Sequence, residues 1–372
     1  MHNDRIDVLR ALAIVLVFLH HAQICLFPGY HVTDYAEAGT LAVTDLRSAV
    51  LNFSPAAFGY TGVHLFLIIS GFLIHMGTVK AEAKGRTFDG RTFFSKRFWR
   101  IYPPYLLALL FFCFAVQGSR YVLEGHKVVD LLSHALMVHN LFDSTFNSIN
   151  PSFWSIALEV QLYLVYPLLL VVRRALDIRT ILLIMVLVSV MMQWLPRMLD
   201  IDPGGLAYDM SLPRYWFIWC AGAWLAEQHL AGKRLFGQLA GPWAALLLFG
   251  MAGARYVEWA APYGVYCAVF GWLAFFEWWM NTRIPEGLRL SMPFKAFTAI
   301  GLCSYSIYLI HQPFLRPMLR FFGEYGPMPL ALMVKLTVVF GIIFLVSWAL
   351  YQWVELPSIA FGAKTRDRDK SA

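Results

Sequence analysis

The sequence predicts an all-α membrane protein, a polytopic helical bundle of about ten transmembrane helices with both termini in the cytoplasm. Of its 372 residues, 59% are hydrophobic and only 14% are charged, whereas soluble domains are about 45–50% apolar and about 25% charged. Apolar runs of about 20 residues recur along the chain, which is the length a helix needs to cross a bilayer. This composition excludes disordered, collagen-like and nucleic-acid-binding proteins.

Hydropathy gives eleven candidate segments along the chain. They are 5–27, 62–79, 101–117, 129–142, 153–172, 180–195, 213–230, 236–253, 263–281, 296–314 and 330–353. The fourth segment is short and contains Asp130, His134 and His139, so it is too polar to be expected to span.

The distribution of Lys and Arg predicts the orientation in the membrane. If 129–142 does not cross, 21 of the 30 basic residues lie on the side of the N-terminus, and if it crosses, only 15 do. Because cytoplasmic loops are rich in Lys and Arg, the first arrangement is favoured. We therefore expect ten spans in a cell membrane, with 129–142 re-entrant or lying at the outer face.

One membrane domain, residues 1–360, accounts for nearly the whole chain, and 361–372 form a short basic cytoplasmic tail. The longest stretches outside the segments are 28–61, which is poor in basic residues, and 80–100, which is rich in them. The five cysteines lie in apolar runs without paired or metal-ligand spacing, so we expect no metal site and no permanently bound cofactor. The sequence predicts no oligomeric state.

The first segment carries two ionisable residues, Arg10 and His21, on nearly the same helix face. Their eleven-residue spacing is about 16 Å along an α-helix, so Arg10 lies near the cytoplasmic surface and His21 lies deep. Histidine is the side chain best suited to move a proton near neutral pH. The alternative is a neutral histidine hydrogen-bonded between helices. Because His20 points about 100° away, at most one of the two histidines is expected to face a working cavity.

A second group of charges lies in the basic stretch before the third segment. Arg97 and Arg100 are three residues apart and share a helix face, so they can bind a phosphate group together. The alternative is ordinary anchoring at the cytoplasmic surface, with Trp99 at the membrane interface.

The fifth segment contains a carboxylate at membrane depth, Glu159. Tyr163 and Tyr166 follow one and two turns later on the same face. An intramembrane carboxylate is a functional candidate, and a structural hydrogen-bond network between helices is the alternative.

Taken together, these pieces resemble the acyltransferase-3 family of integral membrane O-acyltransferases, from Arg5 to Pro357. Six pieces occur in the order of that family: Arg10 to His21, 62–66 with 70–74, 97–103, 154–167, 304–311 and 354–357. The sequence departs from the family at His64, where Asp is usual, at Val160, where a second Glu is common, and at Leu356, where Arg is usual.

The resemblance implies an enzyme that moves an acyl group, often acetyl, from cytoplasmic acyl-CoA to a hydroxyl of a sugar, glycan or related acceptor. It implies that His21 is essential for catalysis and that Glu159 is important for activity. It also implies that Arg97 and Arg100 handle the acyl-CoA donor and that Arg10 belongs to the same motif as His21. We expect Arg10 to join the two arginines in binding the CoA phosphates. Tyr163, Ser70 and Tyr305 are candidate hydrogen-bond donors to the tetrahedral intermediate.

Without this resemblance, the main alternative is a proton-coupled transporter or flippase of sugar-like or lipid-linked cargo. Intramembrane His and Glu side chains also form the proton relays of such proteins. Many transporters contain inverted repeats, and no repeat is visible in this sequence. Release of free CoA during acyl-CoA turnover distinguishes the two classes.

Overall fold

The computed structural model describes residues 3–27, 54–116, 125–202, 204–254, 256–257, 259–322 and 329–371. Within these ranges the secondary structure is helical, and no strand is present. The α-helices are α1 (Asp4–Leu26), α2 (Thr61–Glu82), α3 (Gly90–Leu110), α4 (Gly125–Ala135), α5 (Asp143–Phe146), α6 (Trp154–Val172), α7 (Ile178–Leu199), α8 (Leu206–Asp209), α9 (Leu212–Leu230), α10 (Ala240–Ala254), α11 (Gly264–Asn281), α12 (Glu286–Leu290), α13 (Met292–Leu302), α14 (Ser304–Phe321), α15 (Pro329–Leu350) and α16 (Leu356–Ser371). A π-helical turn, Phe111–Val116, continues α3, and a second one, Tyr351–Glu355, joins α15 to α16.

Several of these helices are long and apolar enough to cross a membrane. Six pass this test within the described residues: Asp4–Leu26, Thr61–Glu82, Gly90–Ala115, Trp154–Val172, Ile178–Leu199 and Leu330–Arg366. Helices α13 and α14 pass it together as a bent pair, which raises the count to seven. The predicted all-α class is therefore confirmed. The described residues contain six to seven membrane-capable helices, and the count of ten spans stays a prediction.

Most of the basic stretch 80–100, which lies between two predicted segments, is helical. Helix α2 continues to Glu82 and α3 begins at Gly90, where the Asp89 side chain accepts a hydrogen bond from the Thr92 backbone N–H at 3.2 Å. Lys and Arg are good helix formers, so a basic stretch does not by itself end a helix. As a result, Arg97 and Arg100 lie inside a helix that continues into the membrane-capable segment.

The segment predicted over 296–314 is not one straight helix. Cys303, with φ −96° and ψ 16°, separates α13 from α14, and the two helices are bent by 79°. Gly301, one residue before the end of α13, packs on α1: a Cβ atom there would lie 1.8 Å from the Asp7 carbonyl oxygen. This close backbone approach accounts for a glycine next to the bend.

The polar segment 129–142 contains a helix that is short for a span. Helix α4 has 11 residues, or roughly 16 Å, about half of the hydrocarbon thickness. Its polar residues are nevertheless buried: the rings of His134 and His139 stack with centroids 3.8 Å apart, and neither side chain is exposed. Burial lowers the pKa of His134 to about 4 and that of His139 to about 2, so both rings are neutral at physiological pH.

The chain divides into two compact units, and the first comprises 1–80, 217–304 and 315–339. In this unit the Arg5 guanidinium donates to the last carbonyl groups of α11, at 2.5 Å from Trp279 O and 2.6 Å from Thr282 O. The Trp279 indole donates in return to Arg5 O at 2.9 Å. A cation at the C-terminal end of a helix satisfies free carbonyls and the helix dipole, so these bonds tie α1 to α11.

Helices α2 and α9 of the first unit meet through glycines. A Cβ atom at Gly71 would lie 2.2 Å from the Trp219 carbonyl oxygen, and one at Gly222 would lie 2.1 Å from the Ile68 carbonyl oxygen. Small residues permit such close helix contacts in membranes.

We expect Gly71→Ala to destabilise the protein by ~1–3 kcal/mol, because the rigid helix backbone of α9 leaves no room for a methyl group. The matched control is Gly77→Ala in the same helix, since nothing lies within 4 Å of a Cβ atom there. Thermal unfolding in detergent measures both changes. Equal melting temperatures for the two variants would contradict the packing described here.

The second unit comprises 81–216, 305–314 and 340–372. Helix α3 contains Pro103 and Pro104, which lack the N–H groups that would bond the carbonyls of Trp99 and Arg100. The Ser358 hydroxyl of α16 donates to Trp99 O at 2.5 Å and replaces one of the missing bonds. The proline pair therefore creates a docking point for the C-terminal helix close to Arg97.

Candidate active site

Helix α1 carries both predicted residues of the first segment, Arg10 and His21. It is unbroken from Asp4 to Leu26, and the Asn3 side chain caps it by accepting from the Arg5 backbone N–H at 3.1 Å. Arg10 Nη1 donates to Asp7 Oδ1 at 3.2 Å, and the Asp7 side chain is only 5% exposed. The charge of Arg10 is therefore paired with a buried acid, and its predicted contact with the donor stays a prediction.

The two neighbouring histidines of α1 have different environments. His20 is 6% exposed, its Nδ1 lies 3.1 Å from the Ala56 carbonyl oxygen, and its ring contacts that of Tyr60. His21 is half-buried. These contacts give His20 a packing role in the first unit, so His21 is the better candidate for chemistry.

Arg97 is the most unusual cation of the second unit. Its guanidinium carbon lies 5.5 Å from the centroid of the Phe93 ring and 5.6 Å from that of Tyr163. Its Nε atom is buried and has no hydrogen-bond partner within the residues that the structure describes. A buried N–H donor without an acceptor costs about 1–3 kcal/mol, so this side chain is not placed there for stability.

Glu159 lies in the same neighbourhood, on α6. The Tyr163 hydroxyl, one turn later, donates a hydrogen bond to Glu159 Oε1. The negative charge of Glu159 also attracts the Arg97 guanidinium. Arg97, Glu159 and Tyr163 therefore form a group in which Tyr163 is buried and the two charged residues are half-buried. Within the described residues, no direct hydrogen bond joins Arg97 and Glu159.

Arg100 adds a second positive charge to this group. It is half-buried, and its charge repels that of Arg97. Within the described part of the chain, Arg100 forms neither a hydrogen bond nor an ion pair. Two cations close together with free N–H donors form a site suited to an anion that carries more than one charged oxygen.

The predicted hydrogen-bond donors to the intermediate are largely engaged elsewhere. The Tyr163 hydroxyl is bonded to Glu159, and the Tyr305 hydroxyl donates to Ile101 O at 2.8 Å. Arg97 thus retains more free donor capacity than either tyrosine.

A second carboxylate, Glu355, belongs to this unit and was not among the predicted site residues. It is 3% exposed and accepts a hydrogen bond from the Ser306 hydroxyl at 2.8 Å, and its charge acts on Tyr305. Glu355 is the last residue of the π-helical turn that joins α15 to α16. Such π-helical turns within α-helices are frequent at functional sites. An acidic residue at the end of a long apolar segment is a signal that would have identified it.

Ser155 and Tyr308 complete the polar network around Glu159. Their hydroxyl groups lie 2.6 Å apart, and the Glu159 charge acts on Tyr308. The second unit thus brings Arg97, Arg100 and Glu159 together, while the first unit carries Arg10 and His21 on a single helix.

The fold and these sites define a class: a polytopic α-helical membrane protein with ionisable side chains among its apolar helices. Within that class, the chain belongs to the acyltransferase-3 family, because the model of that family, described as an acyltransferase domain, matches residues 3–352. The resemblance seen in the sequence motifs is therefore confirmed.

Three relatives illustrate the similarity. The chain is 30% identical over 143 residues to the peptidoglycan O-acetyltransferase OatA of Listeria monocytogenes, covering 36% of this chain and 23% of OatA. It is 32% identical over 142 residues to YrhL of Bacillus subtilis, named as a candidate peptidoglycan O-acetyltransferase, covering 35% and 22%. It is 29% identical over 118 residues to an uncharacterised protein of Haemophilus influenzae, covering 29% and 47%.

These alignments cover less than half of each relative's length. No solved structure is significantly similar to the chain.

Proposed function

We propose that this protein is a membrane O-acyltransferase that moves an acyl group, acetyl first among the candidates, from cytoplasmic acyl-CoA to a hydroxyl of a glycan. The observation that carries this proposal is the family match over nearly the whole chain. Because two relatives are named for peptidoglycan O-acetylation, peptidoglycan fragments are the first acceptors to test.

Arg97 and Arg100 are proposed to bind the phosphates of the acyl-CoA donor. Support comes from two cations that form no hydrogen bonds within the described residues, one of which lies near the rings of Phe93 and Tyr163. Charge-assisted bonds from guanidinium groups to phosphate are strong and directional. Acyl-CoA enters as a substrate, and the proposal requires no bound cofactor or metal.

His21 is proposed to act as the general base in the transfer step. The acceptor oxygen forms a bond to the thioester carbonyl carbon while the imidazole takes the hydroxyl proton. The C–S bond then breaks, and the CoA thiolate leaves and receives the proton from the imidazolium. A variant of this route has His21 take the acyl group first and pass it to the acceptor.

Glu159 is proposed to support this chemistry as a half-buried negative charge that stabilises positive charge formed during the reaction. Its hydrogen bond from Tyr163 and its attraction to Arg97 fix its orientation in the second unit. The proposed membrane arrangement keeps ten spans, cytoplasmic termini and a location in the cell membrane, and the asymmetry of basic residues supports it.

The test uses the purified full chain in lipid nanodiscs with radiolabelled acetyl-CoA and soluble peptidoglycan fragments. We expect label to appear in the glycan and free CoA to be released in equal amounts. A transporter of glycan cargo would move its cargo without releasing CoA. CoA release without glycan labelling indicates another acceptor, and a panel of surface polysaccharides then identifies it. Absence of CoA release with every acceptor would overturn the proposal.

A further inference from the structure

Helix α16 packs against the basic first half of α3, beside the proposed donor site. The Trp99 ring lies 4.7 Å from that of Phe361, centroid to centroid, and a Cβ atom at Gly362 would lie 2.5 Å from the Trp99 ring. Together with the hydrogen bond from Ser358 to Trp99 O, these contacts fix the position of α16 on α3. Both helices belong to the second unit.

This docking brings a third arginine to the helix that carries Arg97 and Arg100. Arg366 Nη1 donates a hydrogen bond to Ser95 Oγ at 3.4 Å, and the Arg366 side chain is half-buried. One hydroxyl group uses only part of the donor capacity of a guanidinium. Among the side chains that the structure describes, no carboxylate forms an ion pair with Arg366. Such an arginine can still bind an anion such as a phosphate group.

The attachment point of Arg366 and the two donor-site arginines follow one another along α3. Ser95 precedes Arg97 by two residues and Arg100 by five, which is about 3 Å and about 7.5 Å along the helix axis. Around the helix, Ser95 and Arg97 are about 160° apart, and Arg100 lies between them. Since α3 is predicted to begin in the cytoplasm, Arg366 is bonded at the position farthest from the membrane.

The phosphate groups of acyl-CoA occur in a matching order. The diphosphate lies between the pantetheine arm, which ends in the thioester, and the ribose, which carries a separate 3′-phosphate. When the thioester points towards the membrane, the 3′-phosphate therefore lies farther towards the cytoplasm than the diphosphate. A diphosphate at Arg97 and Arg100 leaves the 3′-phosphate on the side where Arg366 is attached.

We propose that Arg366 binds the 3′-phosphate of the acyl-CoA donor, while Arg97 and Arg100 bind its diphosphate. The inference rests on the proposed function, in which acyl-CoA is the donor. It makes Arg366 the residue that distinguishes CoA thioesters from thioesters that lack the 3′-phosphate. The alternative role of a basic residue in α16 is attraction to the anionic membrane surface, and that role does not depend on a phosphate of the donor.

The experiment compares acetyl-CoA with acetyl-3′-dephospho-CoA, which differs only in this phosphate. Binding of each compound to the full chain in nanodiscs is measured by calorimetry, without an acceptor. We expect the wild type to bind acetyl-CoA about 10-fold or more tightly than the dephospho compound. This preference is expected to disappear in Arg366→Gln, because binding of acetyl-CoA weakens while binding of the dephospho compound is unchanged. The matched control is Lys364→Gln, which removes an exposed positive charge from the same helix and is expected to keep the preference.

The inference is overturned if the wild type binds the two compounds alike, or if Arg366→Gln keeps the preference. Loss of the preference in Lys364→Gln as well would also overturn it, because the effect would then be one of net charge. Loss of both compounds in Arg366→Gln would make Arg366 a structural residue and overturn it too. In all these cases the wild type still binds acetyl-CoA, so the proposed acyltransferase activity is unaffected. If the wild type binds neither compound, the inference and the proposed donor fail together.

Discussion

Replacing His21 by glutamine is expected to lower acyl transfer by about 1,000-fold, the range seen when a general base is removed. Glutamine keeps a hydrogen-bonding side chain of similar length but accepts no proton at neutral pH. The measurement is transfer of radiolabelled acetyl from acetyl-CoA to the acceptor by purified protein, with binding of acetyl-CoA measured in parallel. We expect the rate to fall while donor affinity stays within a few-fold of the wild type, because the donor phosphates contact other residues.

The neighbouring histidine provides the matched control. His20 is buried and bonded to the Ala56 carbonyl, so His20→Gln is expected to lower thermal stability and to retain most activity per folded molecule. Incubation with labelled acetyl-CoA alone separates the two chemical routes. Label that stays on the wild type and is absent from His21→Gln indicates an acyl-histidine intermediate. Near-normal transfer by His21→Gln would refute the assignment of His21 as the base.

Hydropathy and composition predicted most of the helices, because a long apolar run is a local feature that can be identified in the sequence without knowledge of tertiary contacts. The segment predicted over 101–117 overlaps the C-terminal part of a longer helix, because α3 begins at Gly90. Hydropathy does not reveal the first turns of this helix, since Lys96, Arg97 and Arg100 lower the local average although long basic side chains are fully compatible with a helix.

The burial of polar side chains was harder to predict, because it depends on tertiary contacts. The stacked rings of His134 and His139 are as buried as any apolar residue of the chain, and only contacts with Tyr105, Phe153 and neighbouring groups make this possible. Glu159 was identified by residue type and depth, and Arg97 by its three-residue spacing to Arg100 in a basic stretch. That the Arg97 guanidinium lies against the Phe93 and Tyr163 rings, instead of facing the cytoplasm, depends on the packing of α3 against α6 and has no signal in the spacing.

Replacement of Arg97 tests whether it serves as a simple positive charge or as a planar group with directed N–H donors. We expect Arg97→Lys to raise the KM for acetyl-CoA about 10- to 100-fold, nearly as much as Arg97→Met. Lysine keeps the attraction to Glu159, but it loses the contacts of the guanidinium with the Phe93 and Tyr163 rings and the paired donors that match a phosphate. Arg100→Lys is expected to raise the KM for acetyl-CoA by a smaller factor, because Arg97 makes the cation–π contacts of this pair.

Stability measurements on the same variants make this test decisive. Because Arg97 carries a buried N–H group without an acceptor, Arg97→Met is expected to leave the melting temperature unchanged or to raise it, as replacement of a poorly compensated buried charge often does. The matched control is Arg86→Met, which removes an exposed arginine from the turn before α3 and should change neither KM nor stability. Full rescue of KM by lysine would mean that Arg97 acts only as a counter-charge to Glu159. A large loss of stability in Arg97→Met would instead make it a structural residue. The combination of lost donor affinity and retained stability is the result expected of a side chain whose role is to bind a ligand.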